Sequence, residues 1–227
     1  MDTPLNLDDP ILSPQAQQQA AAIVADMDAR ANKHYTPCGE GRMVWRRWSN
    51  ERAGRAGSPV ILFHGGSGSW THWIRNIDAL SERHTVWAAD SPGLGESDLP
   101  APLSMDALYE AVQAGADSLI PEGPIDVVGF SFGGPVATTL AVHLGPRLRN
   151  LVLVASRFVT GHNRVHPELI SWKRIVDPLE RLAAHRVNLG RLMMSREEHV
   201  DALAVYIQST NTARSRLVGR KLGIGSR

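Results

Sequence analysis

The sequence predicts an α/β protein in which a mostly parallel sheet is flanked by helices. Short apolar runs alternate with longer helix-like stretches along the chain as far as Ser156. These runs are apolar almost throughout, which is typical of parallel strands buried on both faces. Alternating strands and helices of this kind favour one sheet with helices packed on each side.

Individual elements can be placed from the apolar runs and the capping residues. Strands are predicted at residues 42–49, 58–65, 84–90, 124–131 and 148–156. Helices are predicted at residues 14–32, 70–83, 104–120 and 133–145. Ser13 followed by Pro14 is a helix-start signal, and Ser104 is the expected N-cap of the third helix.

Beyond Ser156 the sequence is charged and helical, without a strand pattern. The predicted organisation therefore has three regions. They are a core with an N-terminal helix, a helical cap and a basic tail, at residues 1–156, 157–217 and 218–227.

Composition narrows the classes of partner. The chain has 24 Lys and Arg residues and 23 Asp and Glu residues, so its net charge is +1. A charge this close to zero does not indicate binding to nucleic acid or to an anionic membrane. No run approaches the roughly 18 apolar residues of a membrane-spanning helix. Cys38 is the single cysteine, which fits a reducing compartment and offers no thiol pair for a metal. The N-terminus is acidic and lacks the features of a signal peptide. Together these observations predict a cytoplasmic protein, and neither a cofactor nor a metal is expected.

The motif that carries chemistry is Gly-Phe-Ser-Phe-Gly, in which Ser131 is the central residue. It lies at a predicted strand-to-helix junction, where a sharp elbow exposes a nucleophilic serine. The positive end of the following helix favours a developing oxyanion at this place. A serine hydroxyl is a weak nucleophile unless a base activates it, so a histidine and an acid are required elsewhere in the chain.

A second glycine-rich segment, Phe-His-Gly-Gly-Ser-Gly-Ser-Trp at residues 63–70, directly follows a predicted strand. Glycines allow a backbone amide to approach a carbonyl oxygen as it becomes negative. The expected donors of this oxyanion hole are the amides of Phe132 and Gly66. His64 is expected to brace the loop, because it precedes the serine strand and the base comes from a later loop.

The same segment also permits a dinucleotide-binding interpretation, with Gly66 and Gly68 in the phosphate loop and Asp90 on the ribose. The third glycine of that fingerprint is missing, and Trp70 would crowd the pyrophosphate. An oxidoreductase is therefore the weaker alternative.

With the Asp-Ser-Pro-Gly-Leu-Gly-Glu-Ser-Asp loop at residues 90–98, these motifs resemble the α/β-hydrolase superfamily over roughly residues 43–156. The first loop and the helical region after the sheet are similar to those of capped serine esterases and of the carbon–carbon bond hydrolases. The resemblance implies a serine hydrolase that acts on an ester or activated carbonyl, with Ser131 as nucleophile and Asp90 in a structural role. Trp70, Phe130 and Phe132 are expected to border a pocket for a small apolar substrate.

The acid and base of the triad are not evident in the sequence. In the superfamily they follow the serine on loops after later strands, whereas every later Asp, Glu and His here has a helical context. His162 and His166 are the first candidates for a relocated base. The last strands of the fold are expected to be absent, which predicts a weakly active or inactive chain and self-association through an exposed sheet edge. A non-catalytic binding derivative of the fold is the alternative.

Overall fold

The computed structural model describes residues 5–49, 58–156 and 168–217. Its centre is a sheet of six strands in the order β1-β2-β4-β3-β5-β6. The strands are β1 Asn32–Cys38, β2 Gly41–Trp48, β3 Pro59–Phe63, β4 Thr85–Asp90, β5 Ile125–Phe130 and β6 Leu148–Val154. β2 pairs antiparallel with β1 and β4, and every other pair is parallel.

Six α-helices accompany the sheet in the described residues. They are α1 Pro14–Ala29, α2 Ile77–Ser81, α3 Met105–Leu119, α4 Gly133–Leu144, α5 Pro178–Leu192 and α6 Ala202–Arg214. Short 3₁₀ turns lie between them, including Trp70–Trp73. The α/β class and the mostly parallel sheet predicted from the sequence are confirmed.

The central strands of the sheet are apolar on both faces, and they are buried. All six residues of β4 are buried, and so are Val60 to Phe63 of β3. Trp45 and Phe63 from the strands pack in one cluster with Leu108 of α3 and Leu140 of α4. Burial of this kind contributes about 25 cal/mol per Å² of apolar surface, which makes it the main term that stabilises the sheet.

Two elements differ from the sequence prediction. β1 was not predicted, because Lys33 and Pro37 interrupt any alternation of apolar residues, yet it pairs along its whole length with β2. Residues 70–83 were predicted as one helix, but they form the 3₁₀ turn and the short α2. The two predicted caps are confirmed, since the Ser13 and Ser104 hydroxyls accept hydrogen bonds from helix amides.

The chain divides into two compact units. One consists of Met1–Asp28 with His162–Ala213, and the other of Ala29–Gly161 with Arg214–Arg227. The first unit has its own small core, in which Leu12 packs with Ala183, Leu189, Val200 and Val205. Residues 1–28 therefore fall in the same unit as the C-terminal helices, although they were predicted as part of the core with the sheet; the predicted division into domains stays a prediction. The cap role of residues 157–217 stays a prediction, and residues 218–227 lie outside the described residues.

The edge of the sheet at β6 has no strand partner among the described residues. Val152 and Val154 are 48% and 42% exposed there. An unpaired apolar edge is a site where another strand can add, so self-association through β6 stays a prediction. In the described ranges, no helix is both long and apolar enough to cross a bilayer, and the cytoplasmic location also stays a prediction.

Candidate active site

Ser131 lies on a tight elbow between β5 and α4. Its φ is +50°, a left-handed conformation that non-glycine residues rarely adopt. The Ser131 amide donates to the carbonyl of Val154 at 2.9 Å, and the Ser131 carbonyl accepts from the Gly134 amide at 3.0 Å. These bonds hold the serine in a strained conformation of the kind that clusters at functional sites.

The glycines of the elbow are required for close packing. A Cβ on Gly129 would lie 2.4 Å from the Gly133 carbonyl oxygen, and one on Gly133 would lie 2.4 Å from the Phe63 carbonyl oxygen. A Cβ on Gly134 would lie 2.0 Å from the Ser156 hydroxyl. α4 can therefore approach β3, β5 and the segment after β6 this closely only because these side chains are absent.

The segment of residues 64–69, hereafter the glycine loop, lies against the elbow. A Cβ on Gly66 would be 3.7 Å from the Phe132 Cβ, and one on Gly65 would be 3.5 Å from the Ser131 Cβ. The amides of Gly66 and Phe132 have no hydrogen-bond acceptor among the described residues. The structure thus brings together the three residues predicted as nucleophile and oxyanion donors; their catalytic roles stay predictions.

Three aromatic residues were predicted to border the pocket, and two of them, Phe130 and Phe132, lie against the glycine loop. A Cβ on Gly65 would lie 2.9 Å from the Phe130 ring. Trp70 is 3% exposed and packs against Trp48, with the Arg46 guanidinium 5.0 Å from its ring centroid. A role of any of the three in substrate binding stays a prediction.

His64 has both ring nitrogens engaged. Nδ1 donates to the Gly65 carbonyl at 2.8 Å, and Nε2 accepts from the Ser91 amide at 3.0 Å. The residue is fully buried, and this burial lowers its pKa, although Asp90 acts in the opposite direction. His64 therefore ties the glycine loop to the loop after β4, and neither nitrogen is available as a base.

The glycine loop is also contacted by His72, which was not predicted from the sequence. Its Nδ1 accepts a hydrogen bond from the Gly65 amide at 3.2 Å. Burial, followed by the neighbouring His64, lowers the pKa of His72 to about 3, so the ring is neutral near pH 7. No signature in the sequence distinguishes this residue, because its partner is a backbone amide.

No described residue completes a triad. The Ser131 hydroxyl makes no hydrogen bond to any side chain in the described ranges. His162 and His166, the predicted candidates for a base, lie outside the described residues. His185 is buried in the other compact unit, where burial and then Arg181 lower its pKa to about 4.

Asp90 is the centre of a buried polar network. Its Oδ1 accepts from the Trp70 amide at 2.8 Å, and its Oδ2 accepts from Arg46 at 3.1 Å and from the Glu96 amide at 3.0 Å. Asp90 and Arg46 are both fully buried. With its oxygens occupied, the carboxylate fixes the loop after β4 and is not available to a ribose hydroxyl or a catalytic histidine.

The described residues contain no group of three His, Cys, Asp or Glu side chains close enough to hold a metal ion. The groups that the described residues do bring together at the site are the Ser131 hydroxyl and the amides of Gly66 and Phe132.

The lowered pKa of His72 makes stability depend on pH. The unfolded chain binds a proton near the ordinary value of 6.5, whereas the folded state does so only near 3. The free energy of unfolding should therefore fall as the pH drops from about 6.5 towards 3, by at most about 1.4 kcal/mol per pH unit for this group. His64 acts in the same direction.

Urea unfolding between about pH 7 and pH 4.5 measures this dependence. In His72→Asn the slope should be smaller, because that variant has no proton to bind at this position. Equal slopes for the two proteins would contradict the assignment to His72.

Related proteins match just under half of the chain. The 2-hydroxymuconate semialdehyde hydrolase of Pseudomonas sp. (strain CF600) is 34% identical over 110 residues, covering 46% of this chain and 38% of that protein. The pimeloyl-[acyl-carrier protein] methyl ester esterase of Aeromonas hydrophila is 34% identical over 108 residues, covering 48% and 41%. The matches thus span about two fifths of these relatives.

Solved structures share the architecture. The naproxen esterase of Bacillus subtilis aligns with a TM-score of 0.60 over 88% of this chain and 68% of its own, at 15% identity. This likeness shows the fold alone. The family model described as alpha/beta hydrolase fold matches residues 58–180, which is more than half of the chain. The sheet order, the serine elbow and this match agree, and the chain belongs to the α/β-hydrolase fold family.

Proposed function

We propose that this protein is a serine hydrolase that cleaves an ester or an activated carbonyl compound with a small apolar acyl group. The observation that carries the proposal is Ser131 at a φ of +50° on an elbow that lies against the glycine loop. Relatives with 30% identity or more include proteins named as hydrolases and esterases, which supports the same class of reaction.

In the proposed reaction the Ser131 hydroxyl attacks the carbonyl carbon. As the new bond forms, the carbonyl oxygen becomes negative and is stabilised by the amides of Gly66 and Phe132. A base takes the hydroxyl proton and delivers it to the departing alkoxide, which leaves an acyl-serine. Water then attacks this ester, its proton passes to the same base, and the acid product is released as Ser131 recovers its proton.

The elbow and the loop supply orientation for this reaction without supplying the base. α4 begins directly after Phe132, so its positive end lies beside the developing oxyanion. Because no described residue bonds to the Ser131 hydroxyl, we expect slow turnover. His162 and His166 remain the candidates for a base within the chain.

The apolar character of the substrate is inferred from the walls of the site. Phe130 contacts the glycine loop beside Ser131, and the Phe132 Cβ lies close to Gly66. Neither side chain offers a charge to a substrate. We therefore expect short uncharged acyl groups to be preferred over charged ones.

A second candidate is a non-catalytic binding derivative of the fold. It is favoured by a different observation, namely that the Ser131 hydroxyl makes no hydrogen bond in the described ranges. The two candidates differ in whether the serine reacts.

A fluorophosphonate probe, followed by mass spectrometry of the labelled peptides, separates them. We expect slow labelling confined to Ser131 and none in Ser131→Ala, with esterase activity no more than about 10³ to 10⁴ above water. Ser91 and Ser156 are fully buried and serve as internal controls that should not react.

Rapid labelling of Ser131 would show that the chain contains a working base. If Ser131 does not react even after prolonged exposure, the binding derivative is preferred. Labelling or ester turnover that persists in Ser131→Ala would overturn the assignment of the nucleophile.

A further inference from the structure

We propose that His72 is a positioning residue that fixes the glycine loop so that the Gly66 amide faces the developing oxyanion. The inference rests on the proposed function, because it assigns a role within the same site. It extends that function by naming the side chain on which the geometry of the oxyanion hole depends.

The hydrogen bonds around Gly65 set the direction of the Gly66 amide. The Gly65 carbonyl accepts from His64 Nδ1 at 2.8 Å and from the Gly68 amide at 3.1 Å. A trans peptide is planar, so the next amide, that of Gly66, points opposite to this carbonyl. Two donors on one side of the loop thus turn the Gly66 N–H to the other side.

His72 binds the backbone amide of Gly65. The Gly65 N–H donates to His72 Nδ1 at 3.2 Å, so both polar groups of Gly65 are engaged. A glycine has unusual freedom in φ and ψ, and these bonds restrict that freedom at the point where the loop must be precise. His64 and His72 therefore clamp one glycine between them, with their rings 6.1 Å apart in an edge-to-face arrangement.

The hydrogen bond also defines the tautomer of His72. Because Nδ1 accepts, it carries no proton, and the neutral ring holds its proton on Nε2. The lowered pKa of His72 agrees with a ring that stays neutral. A protonated ring would place a donor against the Gly65 N–H and release it.

The His72 ring is packed against both the glycine loop and Phe130. A Cβ on Gly68 would lie 2.3 Å from His72 Cε1 and 2.6 Å from Nδ1, so the loop wraps closely around the imidazole. The other side of the ring packs edge-to-face on Phe130, with centroids 5.8 Å apart. Phe130 directly precedes Ser131, so one side chain contacts both the loop and the strand that leads to the nucleophile.

Two substitutions separate positioning from simple filling of space. His72→Phe keeps a ring against Phe130 but removes the acceptor. His72→Asn loses the ring but can place its amide oxygen near the position of Nδ1. If His72 only fills space, His72→Phe should be closer to the wild type than His72→Asn in both measurements below. If His72 positions the loop, His72→Asn should be the closer of the two.

The first measurement is hydrogen exchange of the Gly65 amide by NMR, which does not depend on catalysis. We expect exchange to be at least about tenfold faster in His72→Phe than in the wild type, with partial protection retained in His72→Asn. In the wild type, ¹⁵N spectra at about pH 7 should show His72 protonated on Nε2 only. Unchanged protection in His72→Phe, or a proton on Nδ1, would overturn the proposal whether or not the Phe variant is stable.

The second measurement is the rate of fluorophosphonate labelling at Ser131. Loss of one oxyanion donor costs about 10² to 10³ in rate, so a misdirected Gly66 amide should slow labelling by at least about tenfold in His72→Phe and by less in His72→Asn. Equal labelling rates for wild type and His72→Phe would contradict the positioning role. If the wild-type serine does not react at all, the proposed function fails, and the exchange measurement still decides the role of His72.

Discussion

Exchange of Gly133 for alanine is expected to lower the free energy of unfolding by at least about 3 kcal/mol, the upper part of the range for overpacking. The added Cβ would lie 2.4 Å from the Phe63 carbonyl oxygen and 2.7 Å from that of His64. Both are backbone atoms, and β3 is paired on each side with β4 and β5. The strand therefore cannot retreat without loss of its hydrogen bonds.

Urea unfolding of the purified protein measures the effect, and Gly190→Ala in α5 is a matched control. A Cβ at Gly190 meets nothing closer than 3.5 Å, so this exchange should stabilise its helix by about 0.5–1 kcal/mol. An unfolding midpoint in Gly133→Ala equal to that of the wild type would show that the elbow tolerates a side chain.

Asp90→Asn is expected to lower the free energy of unfolding by about 3–5 kcal/mol. Arg46 is fully buried and pairs with two carboxylates, those of Asp90 and Glu96. Removing the charge of Asp90 leaves the guanidinium with the partly exposed Glu96 alone, which compensates it incompletely. The asparagine can still accept from the Trp70 amide through one oxygen. Its NH₂ group would then face Arg46 and the Glu96 amide, which are donors themselves.

The exposed pair of Arg30 with Asp78 supplies the control. Asp78 is 64% exposed, and its exchange for asparagine should change the free energy of unfolding by less than about 1 kcal/mol. The double variant Arg46→Met with Asp90→Asn should recover part of the loss, because no unpaired charge remains in the interior. A loss in Asp90→Asn no larger than in Asp78→Asn would mean that the network does not hold the loop.

Much of the fold could be predicted because its central strands depend on local composition. The apolar runs of β3, β4 and β5 are too short for helices, and each is followed closely by a glycine-containing segment, so these runs could be recognised as strands from the sequence. β1 could not be predicted in the same way. Its position depends on pairing with β2, and tertiary pairing of this kind overrides weak local preference.

For the candidate site as well, some residues could be predicted from local sequence and others could not. Ser131, Gly66 and Phe132 could be brought together from motifs because their spacing to strand ends is local information. His72 and Arg46 could not be predicted, because each acts through a contact that the fold creates. Arg46 meets Asp90 from another strand, 44 residues away in the sequence.

The hairpin of β1 and β2 has a consequence for how the protein can be divided. The family match begins at residue 58, after this hairpin has ended. A fragment cut at that boundary would keep the serine and both glycine segments, but it would lose Arg46 and leave the Asp90 charge buried without its partner. A piece of this sheet that keeps the Arg46–Asp90 pair must therefore begin at or before β2, and a boundary drawn from similarity alone would separate the two partners.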